Sequence, residues 1–200
     1  MTLTMAFRRL ALSAALVLCV AAPLGAQTRP APRRGADPVP SRGMSAVGIS
    51  AGFALPAADD LDPGFALAVN FEHYFSRRVS LRGQVGGAWE DIEGHSFQGT
   101  VKPMSFTGNV VYNWEGGAVH PYVTGGLGYY RFRYLEASLY SADNHFGGNL
   151  GGGVEFFMSR RDTITAEVLA HLVSGYAQGR ALYESPMYWT ILFGYKKYWR

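Results

Sequence analysis

The stretch FALAVNFEHYFSRRVSLRGQVGGAW, Phe65–Trp89, decides the fold. On either side of Ser76-Arg77-Arg78 the residues alternate. One set is Phe65, Leu67, Val69, Phe71, His73 and Phe75, then Val79, Leu81, Gly83 and Val85; the other is Ala66, Ala68, Asn70, Glu72 and Tyr74, then Ser80, Arg82 and Gln84. A period of two means β-strand, and two such runs around a short polar turn mean a hairpin. Register follows from parity, because apolar residues must share a face on both strands. A three-residue turn pairs Phe75 with Val79 and, counting back, Glu72 with Arg82. A two-residue turn would set Phe75 against Ser80 and mix the faces, so it is excluded.

The same alternation recurs along the chain. Val47 to Leu55, Phe65 to Phe75, Val79 to Trp89, Met104 to Trp114, Val123 to Tyr129, Leu150 to Phe156, Ile164 to Leu172 and Met187 to Tyr195 read as strands of about ten residues, the length a tilted strand needs to cross a bilayer. Connections alternate in length. Short ones fall at Ser76-Arg77-Arg78, Glu115 to Ala118 and Ser159-Arg160-Arg161; long ones at Pro56 to Gly64, Glu90 to Pro103, Phe132 to His145 and Val173 to Pro186. The last two are expected to be the most elaborated loops.

Which face is inside follows from cost. The polar set, Asn70, Glu72, Arg82, Gln84, Asn109, Asn113, Asn149, Glu155, Glu167, His171 and Lys196, cannot form a dry soluble core, since an uncompensated buried charge costs several kcal/mol. It can line a wet or ion-paired lumen. The opposite set would be a large exposed apolar patch in water but needs no cover in lipid. Val69, Leu81, Val110, Leu127, Val168 and Ile191 are therefore expected to face lipid, and Glu72, Arg82, Glu155, Glu167 and Lys196 to form a polar network in the lumen. Aromatics gather at both ends of the strands: Tyr74-Phe75, Trp114, Phe156-Phe157 and Tyr198-Trp199 at the short turns, Trp89, Tyr129-Tyr130 and Tyr188-Trp189 at the long loops. They are expected to form two interfacial girdles. The fold class is an all-β, eight-stranded antiparallel transmembrane β-barrel.

The rest of the 200-residue chain is organised around that barrel. MAFRRLALSAALVLCVAAPLGAQ has a charged start at Arg8-Arg9, an apolar run from Leu10 to Ala22 and a cleavage region ending at Ala26, the layout of a signal peptide over residues 1–26. Cys19 is the sole cysteine and lies inside that run behind Leu18, where a lipoprotein signal needs a small residue. The mature chain then has no disulfide, thiol nucleophile or cysteine metal site. Residues 27–43, QTRPAPRRGADPVPSRG, form a Pro- and Arg-rich leader, and residues 44–200 the barrel. Net charge is +3, but without the first 26 residues it is close to neutral, so no nucleic-acid footprint is read.

SAVGISAGFALP, RVSLRGQVGG, HPYVTGGLGYYRF, GGNLGGGVEFFMSRR and WTILFGYKKYW together resemble the small bacterial outer-membrane β-barrel domains of the OmpX and OmpA-transmembrane type, over Ser45 to Trp199. The resemblance implies an outer-membrane protein with a periplasmic N-terminus. It also implies a last strand read by the barrel-insertion machinery, through a glycine five places before a terminal aromatic; Gly194, Tyr195 and Trp199 fit that pattern. Lys197, outward where an aromatic is usual, and Arg200, after the last aromatic, depart from it. The expected partners are outer-membrane lipid and lipopolysaccharide, and the insertion machinery during assembly, with the barrel a monomer.

Chemistry-bearing motifs are weak. GGLGYY and GNLGGGVEFF precede strand pattern rather than a helix start, so they fail as phosphate loops; glycine there makes a bend or room for an aromatic. His73, His95, His120, His145 and His171 lack metal-ligand spacing, and neither metal nor cofactor is expected. Some eight-stranded outer-membrane barrels are lipid A deacylases with Ser, His and Glu, and this resemblance offers His171, Ser174 and Glu184. A separation of three places His171 and Ser174 on opposite faces of a strand, so a lumen histidine and a loop serine is the preferred reading. Eight strands leave an interior about filled by side chains, which excludes a wide pore. The reading is a non-enzymatic barrel with a structural or surface-contact role, the alternatives being narrow-passage transport and a deacylase. Mass spectrometry of the exported protein is expected to show a mature N-terminus between Pro23 and Gln27; retention of Arg8-Arg9 would contradict it.

Overall fold

The computed structural model describes residues 40–57, 62–93, 98–114, 117–136, 139–174 and 187–200. They form a single antiparallel sheet of eight strands: β1 (Ser45–Pro56), β2 (Gly64–Tyr74), β3 (Val79–Glu93), β4 (Gln98–Asn113), β5 (Val119–Glu136), β6 (Leu139–Phe157), β7 (Asp162–Val173) and β8 (Met187–Trp199). Each strand pairs with its neighbour in sequence, and β1 pairs with β8, from Ser45 opposite Trp199 to Pro56 opposite Tyr188, closing the barrel. Closure removes the two free edges, whose unpaired N–H and C=O groups lipid cannot satisfy.

The turn between β2 and β3 has three residues. The amides of Phe75 and Ser76 both donate to the Val79 carbonyl, at 3.0 and 3.2 Å, and the Ser76 hydroxyl accepts from the amides of Arg78 and Val79. Val69 meets Val85 and Glu72 meets Arg82 in the resulting register. The β3–β4 ladder runs in one register from Val79–Tyr112 to Glu93–Gln98 and is interrupted near Pro103, which has no N–H to donate.

The faces are inverted relative to a soluble protein. Val69, Leu81, Val110 and Leu127 are exposed, Leu127 to 77 %, and Val168 and Ile191 are partly exposed on the same outer surface. All eleven polar residues assigned to the lumen are buried, among them Glu72, Asn109, Glu155 and Lys196.

Two expectations need correction. Phe132 to His145 is not an irregular loop. β5 and β6 run 18 and 19 residues and stay paired through Phe132–Asp143 to Glu136–Leu139, well past the length needed to cross a bilayer. Alternation fades there because beyond the membrane neither face of a strand pair has to be apolar, and the backbone ladder needs no apolar face. Of Val173 to Pro186, residues 175–186 lie outside the described residues. Five of the twelve aromatics assigned to the girdles turn inward instead. Phe75, Trp114, Phe156 and Trp199 face outward, as do Trp89 and Tyr129, but Tyr74, Tyr198, Tyr130 and Tyr188 are buried in the lumen, and Phe157 is packed there against Tyr198. Sequence neighbours on a strand take opposite faces, so adjacent aromatics cannot both meet lipid.

Arginine in place of Val110 or Leu127, near the middle of the outer band, is expected to lower barrel stability by about 2–4 kcal/mol, and at Phe146, near the rim, by about 0–1 kcal/mol. Urea titration of the protein refolded in vesicles measures both. Equal costs at the two depths would mean that this surface does not contact hydrocarbon.

Candidate functional site: a charged cluster in the lumen

The lumen is layered. At the short-turn end Met44, Ala46, Tyr74, Tyr198 and Phe157 form a floor, with the His120 ring 4.6 Å from that of Phe157. Five charged side chains from five strands fill the layer above. Glu72 on β2 accepts from Arg82 Nε on β3 at 3.0 Å and from Lys196 Nζ on β8 at 2.8 Å. Arg82 Nη1 crosses the lumen to pair with Glu167 on β7, and Lys196 Nζ also pairs with Glu155 on β6. Glu72 and Glu155 are fully buried, and Arg82 and Lys196 are 2 % exposed.

Three carboxylates face two cations, and hydroxyls make up the difference. Ser80 donates to Glu72, Tyr122 to Glu167 at 2.7 Å and Tyr198 to Glu155 at 2.6 Å. The Tyr74 hydroxyl lies 3.1 Å from that of Tyr198 and ties the floor to the cluster. The Arg82 guanidinium lies over the Tyr122 ring, 5.0 Å from its centre. Gly153 makes room for that ring: a Cβ there would approach the Tyr122 hydroxyl to 2.7 Å. The glycine run of β6 thus admits an aromatic, not a phosphate.

Above the charges the lining is small and apolar, then largely aromatic. Ala54, Ala66, Ala68, Ala88 and Leu192 pack together, and Val101, Tyr130, Phe132, Val173 and Tyr188 close the long-loop end. Between them a cavity of about 20 Å³, lined in part by Gln84, Ser105, His171 and Thr190, has room for a water molecule. The His171 ring stacks on Tyr188 at 4.4 Å and 8°; its Nε2 lies 3.2 Å from Thr190 Oγ1 and its Nδ1 3.2 Å from the Tyr130 hydroxyl.

All five residues of the expected lumen network come together. The cross-lumen pairings and the hydroxyl donors were not read from sequence, although Tyr122 and Tyr198 hold lumen-facing positions that parity identifies. Glu90 is a further buried carboxylate, 3 % exposed, with no partner at Oε1, and the sequence alternation alone does not mark it as a lumen residue. His171 and Ser174 do not converge: His171 points into the lumen, whereas Ser174 is exposed and donates to the Phe146 carbonyl. Glu184 lies outside the described residues. In the last strand Gly194 opposes Ser50, and Tyr195 and Trp199 face outward, the Trp199 ring 6.1 Å from Phe71.

A closed eight-stranded barrel with an apolar exterior and an ion-paired interior defines a membrane-spanning β-barrel. Residues 12–195 match the family described as outer membrane protein beta-barrel domain, and the chain belongs to that family. No curated protein sequence matches it. Among solved structures it is similar to Ail of Yersinia pestis (15 % identity, TM-score 0.57, covering 79 % of this chain and 99 % of that one). It is also similar to Neisserial surface protein A (13 %, 0.61, 78 % and 99 %) and to OprG of Pseudomonas aeruginosa (17 %, 0.54, 78 % and 97 %). At these identities the likeness is one of fold, and outer-membrane location follows from the family.

Replacing Lys196 by Met is expected to cost about 3–5 kcal/mol, because it strands buried carboxylates. Replacing Lys196 by Met and Glu155 by Leu together should cost well under the sum of the two single changes. A double-mutant cycle by urea unfolding in vesicles reads the coupling; strict additivity would show that the two groups do not interact.

Proposed function

We propose that this protein is a non-enzymatic integral barrel of the outer membrane whose role is surface contact through its long hairpins. In this reading residues 1–26 direct export, residues 27–43 are a periplasmic leader, and residues 44–200 cross the membrane with the N-terminus in the periplasm. Gly194, Tyr195 and Trp199 serve the insertion machinery, and the folded monomer is surrounded by membrane lipid and lipopolysaccharide, with neither nucleic acid nor cofactor as partner.

The observation that carries the reading is the contrast between the two ends. The short-turn end is filled by the ion-paired cluster over an aromatic floor, which supports a closed barrel over a conducting one. The long-loop end extends β5 and β6 as a paired hairpin beyond the band that meets lipid, and a ladder-bonded hairpin presents its side chains in fixed positions. The opposite faces of His171 and Ser174 favour a non-enzymatic role over a deacylase.

The folded protein should migrate differently on unboiled and boiled gels. Cells expressing it should adhere to extracellular-matrix proteins, and replacing residues 132–143 by a short turn should abolish adhesion while leaving the gel shift unchanged. Stepwise currents in planar bilayers, or loss of an acyl chain from lipid A on expression, would overturn the reading in favour of transport or hydrolysis respectively.

A further inference from the structure

The outer surface of β4, β5 and β6 changes character within two residues. Phe106, Tyr129 and Phe146 stand side by side in register, exposed, with the Tyr129 and Phe146 rings 5.8 Å apart. They form the aromatic row at the long-loop end of the apolar band, where the membrane interface lies. The next outward positions on β5 are Arg131 and Arg133, and Lys102 on β4 is directly opposite Arg133. At about 3.3 Å per residue and a tilt near 40°, Arg131 lies about 5 Å and the Arg133–Lys102 row about 10 Å beyond the aromatic row. That is the depth of lipid headgroups.

Lys102 and Arg133 are like charges placed directly across a strand pair, an arrangement that destabilises a sheet unless an anion sits between them. Their register neighbours are neutral: Arg131 meets Met104 and Asn144, and Arg133 meets Ala142 on its other side. All three cations are half-buried, and among the described residues none makes an ion pair. Nε of Arg131 and of Arg133 is buried without a hydrogen-bond partner. At the same end, the outward positions Phe53, Phe65, Leu172 and Trp189 on the other side of the barrel carry no cation.

We propose that Lys102, Arg131 and Arg133 form a binding site for the phosphate groups of a phosphorylated glycolipid of the outer leaflet. The proposal deepens the reading above and rests on its orientation, long hairpins outward. Guanidinium groups match phosphate oxygens with paired N–H donors, and a lipid whose chains lie against the apolar band presents its phosphates at the height of the three cations. One bound phosphate would relieve the repulsion between Lys102 and Arg133, so lipid and barrel stabilise each other.

The test titrates the full chain, folded in detergent micelles, with bisphosphorylated lipid A and with the same lipid after phosphate removal, bound lipid being read by native mass spectrometry. The K102Q/R131Q/R133Q variant, checked for folding by its gel shift, should bind the bisphosphorylated lipid roughly 100-fold more weakly, about fivefold per charge removed. R131K/R133K, which keeps the charges but loses the paired N–H donors, should bind between wild type and the triple variant, whereas R77Q/R78Q at a short turn should bind as wild type. Equal binding of the dephosphorylated lipid, or wild-type affinity in the triple variant, would overturn the site. Displacement of the lipid by inorganic phosphate, or by a sulfated polysaccharide at equal charge concentration, would overturn its assignment to a lipid. Orientation is read separately: with Cys19 in the signal segment, a Ser141→Cys protein has one thiol in its mature chain, and a membrane-impermeant maleimide should label it on intact cells. Failure to label would overturn the orientation without touching the micelle titration.

Discussion

A backbone amide placed in hydrocarbon has no partner except another backbone group. Eight strands meet that demand by pairing each with the next and the last with the first. Closure then inverts the usual economy of a sheet. The convex face meets lipid, and Val, Leu, Ile and Phe there need no protein cover. The concave face encloses a space too narrow for bulk water and must be filled by whatever lies between the apolar positions. Here that includes three glutamates, an arginine and a lysine.

Charges in such a space are tolerated only when paired, and here every charged side chain of the cluster has an opposite charge, although Arg82 Nη2 has no hydrogen-bond partner. Glu72 joins the two cations, Glu155 and Glu167 each take one of them, and tyrosine and serine hydroxyls supply the donors that two cations cannot. The set spans β2, β3, β5, β6, β7 and β8, so it clamps the barrel across its diameter where the sheet ladder holds only adjacent strands. The floor of Tyr74, Phe157 and Tyr198 seals it toward the short turns. Rigidity at that end and extension of β5 and β6 at the other are the contrast on which the proposed role rests.

Much of this was legible in the sequence because period-two alternation is a local property. The inverted faces, the three-residue turn, the pairing of Glu72 with Arg82 and the lumen position of the other polar residues all follow from counting parity along one strand or across one hairpin. Parity applied residue by residue would also have sent Tyr74, Tyr130, Tyr188 and Tyr198 inward; reading the aromatics in clusters obscured it. The end of β5 was hidden for a different reason. Beyond the membrane nothing forces apolar and polar residues to alternate, so the ladder continues without a signal.

Only the tertiary structure decided which charges meet across the lumen. Arg82 and Glu167 are 85 positions apart, and Lys196 and Glu72 are 124 apart. Their meeting depends on the stagger with which the sheet closes and on the room Gly153 leaves for Tyr122, and neither is a property of any one strand. The row of Lys102 and Arg133 is likewise a consequence of pairing β4 with β5. The chain by itself determined which side of each strand faces lipid, because one face is apolar; closure determined the contacts, because only a closed sheet brings distant strands to the same level.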